Sequence, residues 1–166
     1  VNLSPGPTYY FCALASNLVG TSFGAVLSFT TPSAPVVLTA AATAITSSGA
    51  TLNGSANPGG AATTGHYRLS STSPGACNDT FGTRFPSAGG TSLGAGNSAA
   101  TYFELAGGLQ PATTYYFCAI AVNSVGTSFG AVLSFTTTAG PSVTTLAASA
   151  VAGTGATLNG SANPQL

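Results

Sequence analysis

The chain has 166 residues and only four charged side chains, two basic and two acidic, so its formal net charge is zero. Soluble domains usually carry about 25% charged residues. This composition excludes a basic surface for nucleic acid and an acidic cluster for calcium. The sequence contains no apolar run of about 18 residues, so we expect no membrane span.

An uncharged surface exerts little repulsion between copies of a protein. Two interpretations follow: the copies associate, or glycans cover them. Four asparagines begin an Asn-x-Ser/Thr sequence and permit glycosylation: Asn2, Asn53, Asn78 and Asn159. Such matches also arise by chance in a chain rich in Ser and Thr. We expect self-association rather than glycosylation.

The chain repeats itself at an offset of 106 positions, and 39 of the 60 overlapping positions are identical. The longest unchanged block is VGTSFGAVLSFTT, which occurs at residues 19–31 and again at 125–137. A period of this length is that of a domain. We therefore predict a complete domain at 33–138. We assign residues 1–32 to the last two strands of a preceding repeat and 139–166 to the first two strands of a following one.

The pattern within the repeat predicts strands and no helix. Along residues 50–56 the alternation places Ala50, Leu52, Gly54 and Ala56 on one face and polar residues on the other. The other predicted strands cover residues 66–69, 101–105, 115–122 and 130–136, and Gly- and Pro-rich turns separate them. About seven short strands in such a unit indicate an all-β fold, an antiparallel β-sandwich.

One segment carries a specific resemblance. The run LQPATTY at residues 109–115, followed by Phe117, Ala119, Asn123 and Gly126, looks like the E–F corner of a fibronectin type III domain. Residues 141–160 resemble the A and B strands of that fold. The Trp that is common on strand B of animal members is missing, because the chain has no Trp.

The segments CNDTFGTRFP (77–86) and TTYYFCAIAVNSVGTSFGAVLSFTT (113–137) are similar to tandem fibronectin-type-III-like repeats of large secreted bacterial proteins. The resemblance implies a fibronectin-type-III-like sandwich at an extracellular or cell-surface location, and it implies no activity. It also implies a tyrosine corner, in which a Tyr at the start of strand F bonds to nearby backbone. Tyr115 holds that position in the domain and Tyr9 holds it in the first flank.

Cys77 follows the strand that corresponds to strand C, and Cys118 lies on strand F, pointing away from the core. Strands C and F are usually neighbours in this fold, so we predict a Cys77–Cys118 disulfide that closes a loop of about 40 residues. The alternative is two free thiols in a reducing compartment. Cys12 is the counterpart of Cys118, and the counterpart of Cys77 that it would need lies outside the chain. We expect Cys12 to be unpaired or bonded to another chain.

We predict no catalytic site and no cofactor. His66 is the one histidine, Asp79 the one aspartate, and a catalytic histidine needs a nucleophile and an orienting acid nearby. Asp79 and Glu104 are expected on different sheets, which excludes a carboxylate pair. Three cysteines and one histidine spread over two units do not provide a metal site. We expect a solvent-facing or interface role for His66.

Tyr116 shares the outward face of its strand with Cys118, and His66 and Arg68 lie on the neighbouring strand. These side chains predict an exposed patch, which would contact a sugar or partner or would pack against another copy. We favour packing, since nothing polar is expected to converge there as ligand pockets usually require.

We therefore predict a structural protein: an extracellular array of identical sandwiches that forms a fibre, stalk or surface filament, with other copies or adjacent repeats as partners. The alternative is an adhesin or carbohydrate-contacting spacer of a larger secreted protein. Residues 61–106 have no counterpart in either flank, so the flanks of two chains cannot complete a sandwich by head-to-tail pairing. We expect the native polypeptide to be longer than this chain.

Overall fold

The computed structural model describes residues 1–164, so the last two residues of the predicted unit 139–166 lie outside the described residues. The described chain is all-β, and none of its segments is a helix that could cross a membrane. In chain order the strands are β1 Thr8–Phe11, β2 Leu14–Ser16, β3 Thr21–Phe23, β4 Leu27–Thr30, β5 Val36–Thr43, β6 Gly49–Asn57, β7 Thr63–Ser70, β8 Thr83–Phe85, β9 Thr91–Gly94, β10 Ala100–Gly107, β11 Thr114–Val122, β12 Thr127–Phe129, β13 Leu133–Thr136, β14 Ser142–Ala152 and β15 Gly155–Asn163.

Strands β5, β6 and β10 form one antiparallel sheet with β6 in the centre. Every second residue of β6 is buried, and these are the four small or apolar residues that the alternation predicts. Strand β10 follows the same rule, because Tyr102 and Ala106 face the core whereas Phe103 and Leu105 are exposed.

In the second sheet β11 pairs with β7. Strands β12 and β13 pair with the other edge of β11, and β8 and β9 pair with the other edge of β7. Residues 117–121 of β11 are buried without alternation. A strand is buried without alternation when both of its faces are covered. The inner face of β11 meets the first sheet, and its outer face is covered by a loop.

The core lies between the two sheets and is centred on Leu52, Tyr67 and Phe117, none of which is accessible to solvent. The Tyr67 hydroxyl donates to the Tyr102 carbonyl at 2.8 Å, and the Tyr102 hydroxyl donates to the Ile120 carbonyl at 3.1 Å. Burial raises the pKa of both phenols, so they remain neutral donors. A Cβ at Gly65 would lie 2.7 Å from the Tyr102 ring, so only glycine leaves room for that ring. The fold is a β-sandwich.

Nine strands, β5 to β13, build the sandwich between Val36 and Thr136, where the sequence predicts about seven. The short strands β12, β8 and β9 lie outside the predicted strand segments; β12 pairs with β11, whereas β8 and β9, of three and four residues, pair with β7. Strands this short are too brief to show a period-two pattern, and they form because the edge of β7 offers hydrogen bonds to both.

The flanks form three separate two-stranded sheets: β1 with β4, β2 with β3, and β14 with β15. None of these strands pairs with a strand of the sandwich. Nearly every flank residue in the described range is exposed.

Candidate functional site: a loop clamped over strand β11

The loop at residues 71–82 connects β7 to β8 and covers the outward faces of β7 and β11. Asn78 shapes it, because its side-chain oxygen accepts hydrogen bonds from the backbone N–H groups of Thr80 and Phe81 at 2.9 and 3.1 Å. This is an Asx turn, which reverses the chain locally. The turn presents Cys77 and Asp79 to the sheet below.

A disulfide joins Cys77 in this loop to Cys118 on β11, with the two Cα atoms 6.0 Å apart. Cys118 lies directly opposite Arg68 in the pairing of β11 with β7. It points away from the sandwich core, as the strand phase predicts, and is nevertheless fully buried beneath the loop. The bond therefore ties the loop to the sheet.

Asp79 forms a second, ionic connection between loop and sheet. Its Oδ1 accepts hydrogen bonds from His66 Nε2 and from Arg68 Nε, each at 2.9 Å. The Arg68 guanidinium also donates to the Asp79 carbonyl. Arg84 on β8 donates to the carbonyls of Pro86 and Gly89 and closes the neighbouring turn. We call the group of His66, Arg68 and Asp79 the polar clamp.

The environment shifts the pKa values of the clamp. Burial would raise the pKa of Asp79, but hydrogen bonds from His66 and Arg68 outweigh it and hold the pKa below its usual value. Burial lowers the pKa of His66, against the opposing effect of the Asp79 hydrogen bond. At neutral pH the clamp is therefore an aspartate held by a cationic arginine and a neutral imidazole.

The polar clamp is not among the sites predicted from the strand pattern. A signal was present, since four of the five ionisable residues Arg, Asp, Glu and His fall between positions 66 and 84. In a chain with so little charge, such clustering indicates mutual pairing. The path of the loop, which brings Asp79 back over the sheet, is not readable from the pattern.

The expected exposed patch of His66, Arg68 and Tyr116 is not open to solvent. His66 is only 3% exposed, and Tyr116 is half-buried. The prediction that His66 faces solvent or an interface is wrong, because the disulfide and Asp79 hold the loop against this face of the sheet. A sugar or a partner protein at this position would contact the loop at residues 71–82 instead.

The clamp does not resemble a hydrolytic site, although it contains a His–Asp hydrogen bond. The imidazole nitrogen that such a site would aim at a nucleophile is Nε2, and here Nε2 is bound to the aspartate. Cys118, the nearest sulfur on the sheet, is in the disulfide. Across residues 1–164 no group of three His, Cys, Asp or Glu side chains could hold a metal.

Both predicted corner tyrosines bond to backbone five residues away. The Tyr115 hydroxyl accepts the N–H of Gln110 at 2.9 Å, and the Tyr9 hydroxyl accepts the N–H of Ser4 at the same distance. Cys12 is an exposed free thiol.

The four sequon asparagines differ in their surroundings. Asn2 is exposed. The side-chain amides of Asn53, Asn78 and Asn159 donate to the carbonyls of Ala41, Ala76 and Ala147 respectively. A glycan on any of these three amides would have to replace or disturb that hydrogen bond.

The flanks present a second candidate surface. It consists of exposed faces whose counterparts in the sandwich strands are buried. Leu52 is fully buried, whereas Leu158, at the same position of the repeat, is 87% exposed. Phe117 is fully buried, whereas its counterpart Phe11 is 52% exposed.

A third surface is the outer side of the sheet β10–β6–β5. Leu38, Phe103 and Leu105 are exposed there beside the polar side chains of Asn53, Ser55 and Thr101. Among the four charged side chains of the chain, only Glu104 lies on this sheet, and its residue alternates with the exposed ones. This surface is uncharged and combines apolar side chains with neutral polar ones.

Comparison with known proteins places the chain in no family. No family model matches it, and no curated protein matches it. Among solved structures it is similar to the sensor domain of the anti-sigma factor RsgI4 of Pseudobacteroides cellulosolvens, with 20% identity, a TM-score of 0.41, and coverage of 63% of this chain and 90% of that chain. The likeness is too distant to assign a function.

Proposed function

We propose that the protein is an extracellular structural repeat protein, in which fibronectin-type-III-like sandwiches with a period of 106 residues build a fibre, stalk or surface filament. The observation that carries this proposal is that one repeated segment of sequence occurs in two different environments. Residues 19–31 and 125–137 are identical and form equivalent strand pairs. In the sandwich Gly130, Phe135 and Thr137 are buried, whereas every residue of 19–31 except the partly buried Thr31 is exposed. A chain with exposed copies of strands that are partly covered elsewhere is suited to an array in which neighbouring units cover those copies.

The lack of charge also supports the proposal. Identical units that meet through unlike faces form an open assembly when the contact does not close into a ring. Such contacts need no electrostatic steering, and a chain with net charge zero has little repulsion to oppose them.

The extracellular location is supported by the disulfide. Disulfides persist in oxidising compartments and are rare in the cytosol. The hydrogen bonds of Tyr9 and Tyr115 to nearby backbone support the fibronectin type III assignment.

Electron microscopy of negatively stained protein tests the structural proposal. We expect regular fibres with an axial spacing of about 30 Å, the length of the nine-residue strand β6 at about 3.3 Å per residue. Isolated particles at every protein concentration would contradict it.

A second candidate is an adhesin or carbohydrate-contacting spacer, and one surface favours it. An exposed aromatic ring, Phe103, lies among the polar side chains of Asn53, Ser55 and Thr101, a combination that suits the apolar face and the hydroxyls of a sugar. Phe103→Ser should abolish binding on a glycan array, and Phe81→Ser, in the loop at residues 71–82, serves as the control. An array that shows no binding by the unsubstituted protein would exclude this candidate.

A further inference from the structure

We propose that the flank formed by β1, β2, β3 and β4 is a docking surface for an additional copy of residues 33–106, supplied by an adjacent repeat and not already covered by strands of its own. Because Cys77 of this chain is bonded to Cys118, it is Cys77 of the additional copy that forms a disulfide with Cys12. This inference rests on the proposed function, because it names the partner of one exposed flank. The occupant follows from the sandwich itself, where residues 33–106 cover the same sequence in β11–β13.

The docking surface is already formed in the flank. Thr8 pairs with Thr30 and Phe11 with Leu27, which is the register of Thr114 with Thr136 and Phe117 with Leu133. The rings of Tyr9 and Phe29 stack at 5.8 Å, and those of Tyr115 and Phe135 stack at 5.9 Å. A surface that is organised before binding loses less conformational entropy when the partner arrives.

Both faces of the flank are open, and both faces of β11 are covered. On the inner face, Phe29 is 45% exposed where Phe135 is 7% exposed. On the outer face, Leu14 is 65% exposed where Ile120 is fully buried. A partner must therefore supply a sheet for one side and a loop for the other, and residues 33–106 contain both.

The polar groups that would hold the copy are also in place. In the sandwich the Asn123 amide donates to the carbonyls of Ser33 and Pro58 at 2.8 and 2.9 Å, while its oxygen caps the turn at Val125. In the flank Asn17 caps the same turn, with its oxygen 2.9 Å from the N–H of Val19. Its amide is therefore directed at the site of the two missing carbonyls.

Cys12 occupies the position at which Cys118 meets Cys77 in the sandwich. Pairing removes two electrons and two protons from the thiols of Cys12 and of Cys77 in the copy. Oxidised glutathione accepts them and leaves as two molecules of reduced glutathione, so the exchange balances.

The test is an extended chain in which a copy of residues 33–106 directly precedes Val1. Val1 stands at the position of Gly107, so this junction preserves the 106-residue spacing. After refolding with a glutathione redox pair, non-reducing peptide mapping should find Cys77 of the added copy joined to Cys12 and the original Cys77 joined to Cys118. Amide hydrogen exchange at residues 8–16 should slow by about 100-fold relative to the unextended chain. A Cys12 that is still alkylated, or that is mispaired, would overturn the proposal.

Two glycines provide a matched pair of variants. A Cβ at Gly130 would lie 2.3 Å from Thr39 Oγ1, so Gly24→Ala, at the equivalent position, should block docking of the copy. Within the flank a Cβ at Gly24 would lie 3.3 Å from the Ala13 carbonyl oxygen, the nearest atom beyond its chain neighbours. Gly20→Ala is the control: at the equivalent Gly126 a Cβ would lie 3.6 Å from the Ala34 Cβ, an ordinary contact, so the new disulfide should still form. Equal disulfide yields in the two variants would contradict the predicted contact.

The outcome is independent of the fibre test. If the extended chain forms the Cys12 disulfide but electron microscopy shows only isolated particles, the docking surface stands and the structural function fails. If fibres form while Cys12 remains free in the extended chain, the assembly uses another surface and the docking proposal fails.

Discussion

The carboxylate of Asp79, on a surface loop, lies 2.9 Å from Nε2 of His66, a side chain that is almost completely buried in the sheet below. The contact joins the twelve-residue loop at residues 71–82 to strand β7 of the sandwich. Together with the disulfide it leaves the loop two independent attachments, one covalent and one ionic.

Asp79→Asn should destabilise the sandwich by about 1 kcal/mol, because the charge that accepts from both His66 and Arg68 is lost. We keep the figure this small because the Asp79 side chain is 40% exposed and water screens the ion pair. Urea unfolding followed by tyrosine fluorescence measures the change. Glu104→Gln, at the other carboxylate, is the control and should leave the midpoint nearly unchanged. An unaltered midpoint in Asp79→Asn would show that the clamp contributes nothing to stability.

Stability should fall as the pH is lowered from 7.5 to 5. Burial lowers the pKa of His66 in the folded protein, so near and below the ordinary histidine pKa of 6.5 the unfolded chain binds more protons than the folded one. His66→Gln keeps a donor near Asp79 and does not titrate, so its urea midpoint should change less over this range. Asp79 adds a second loss of stability below the ordinary aspartate pKa of 3.8, since its pKa is also lowered in the folded state. A variant and a parent with parallel pH profiles would contradict the assignment to His66.

Replacement of both Cys77 and Cys118 by Ser should lower the free energy of unfolding by about 3–4 kcal/mol, the chain-entropy value for a bridge that spans 41 positions. Cys12→Ser is the control for the loss of a thiol and should have no effect, because that side chain is exposed. Reduction of the parent protein should reproduce the double substitution. Failure to do so would indicate that the bridge is not formed in solution.

Leu52→Ala and Leu158→Ala compare one substitution at two equivalent positions. The first removes a fully buried side chain and should cost about 2–5 kcal/mol, whereas the second removes one that is 87% exposed and should change stability by less than about 0.5 kcal/mol. Chemical denaturation of both variants in dilute solution gives the comparison. A large effect of Leu158→Ala would mean that the flank is already covered in solution.

Much of the sandwich could be predicted because its long strands carry an alternation that survives in a chain of small residues. Strand β6 is the best example, since its buried positions are those that the alternation assigns. On β10 the same alternation separates Tyr102 from Phe103 and Leu105, and the structure shows that Tyr102 is on the buried face.

The clamp could not be predicted, and the reason is geometric. His66 and Asp79 are 13 positions apart, and they meet only because the loop turns back over β7. Alternation assigns His66 to the outer face correctly but does not report what covers that face. The strands β8 and β9 were missed for a related reason, since the edge of β7 induces them rather than their own residues.

The polar clamp also has a consequence for the proposed contacts between copies. Arg68 and Asp79 form an ion pair, and the two remaining charged residues, Arg84 and Glu104, have opposite signs, so little net charge remains to generate a field around the molecule. Screening by dissolved ions acts only on charges. Contacts between such molecules should therefore hold with similar strength in fresh water and in brine.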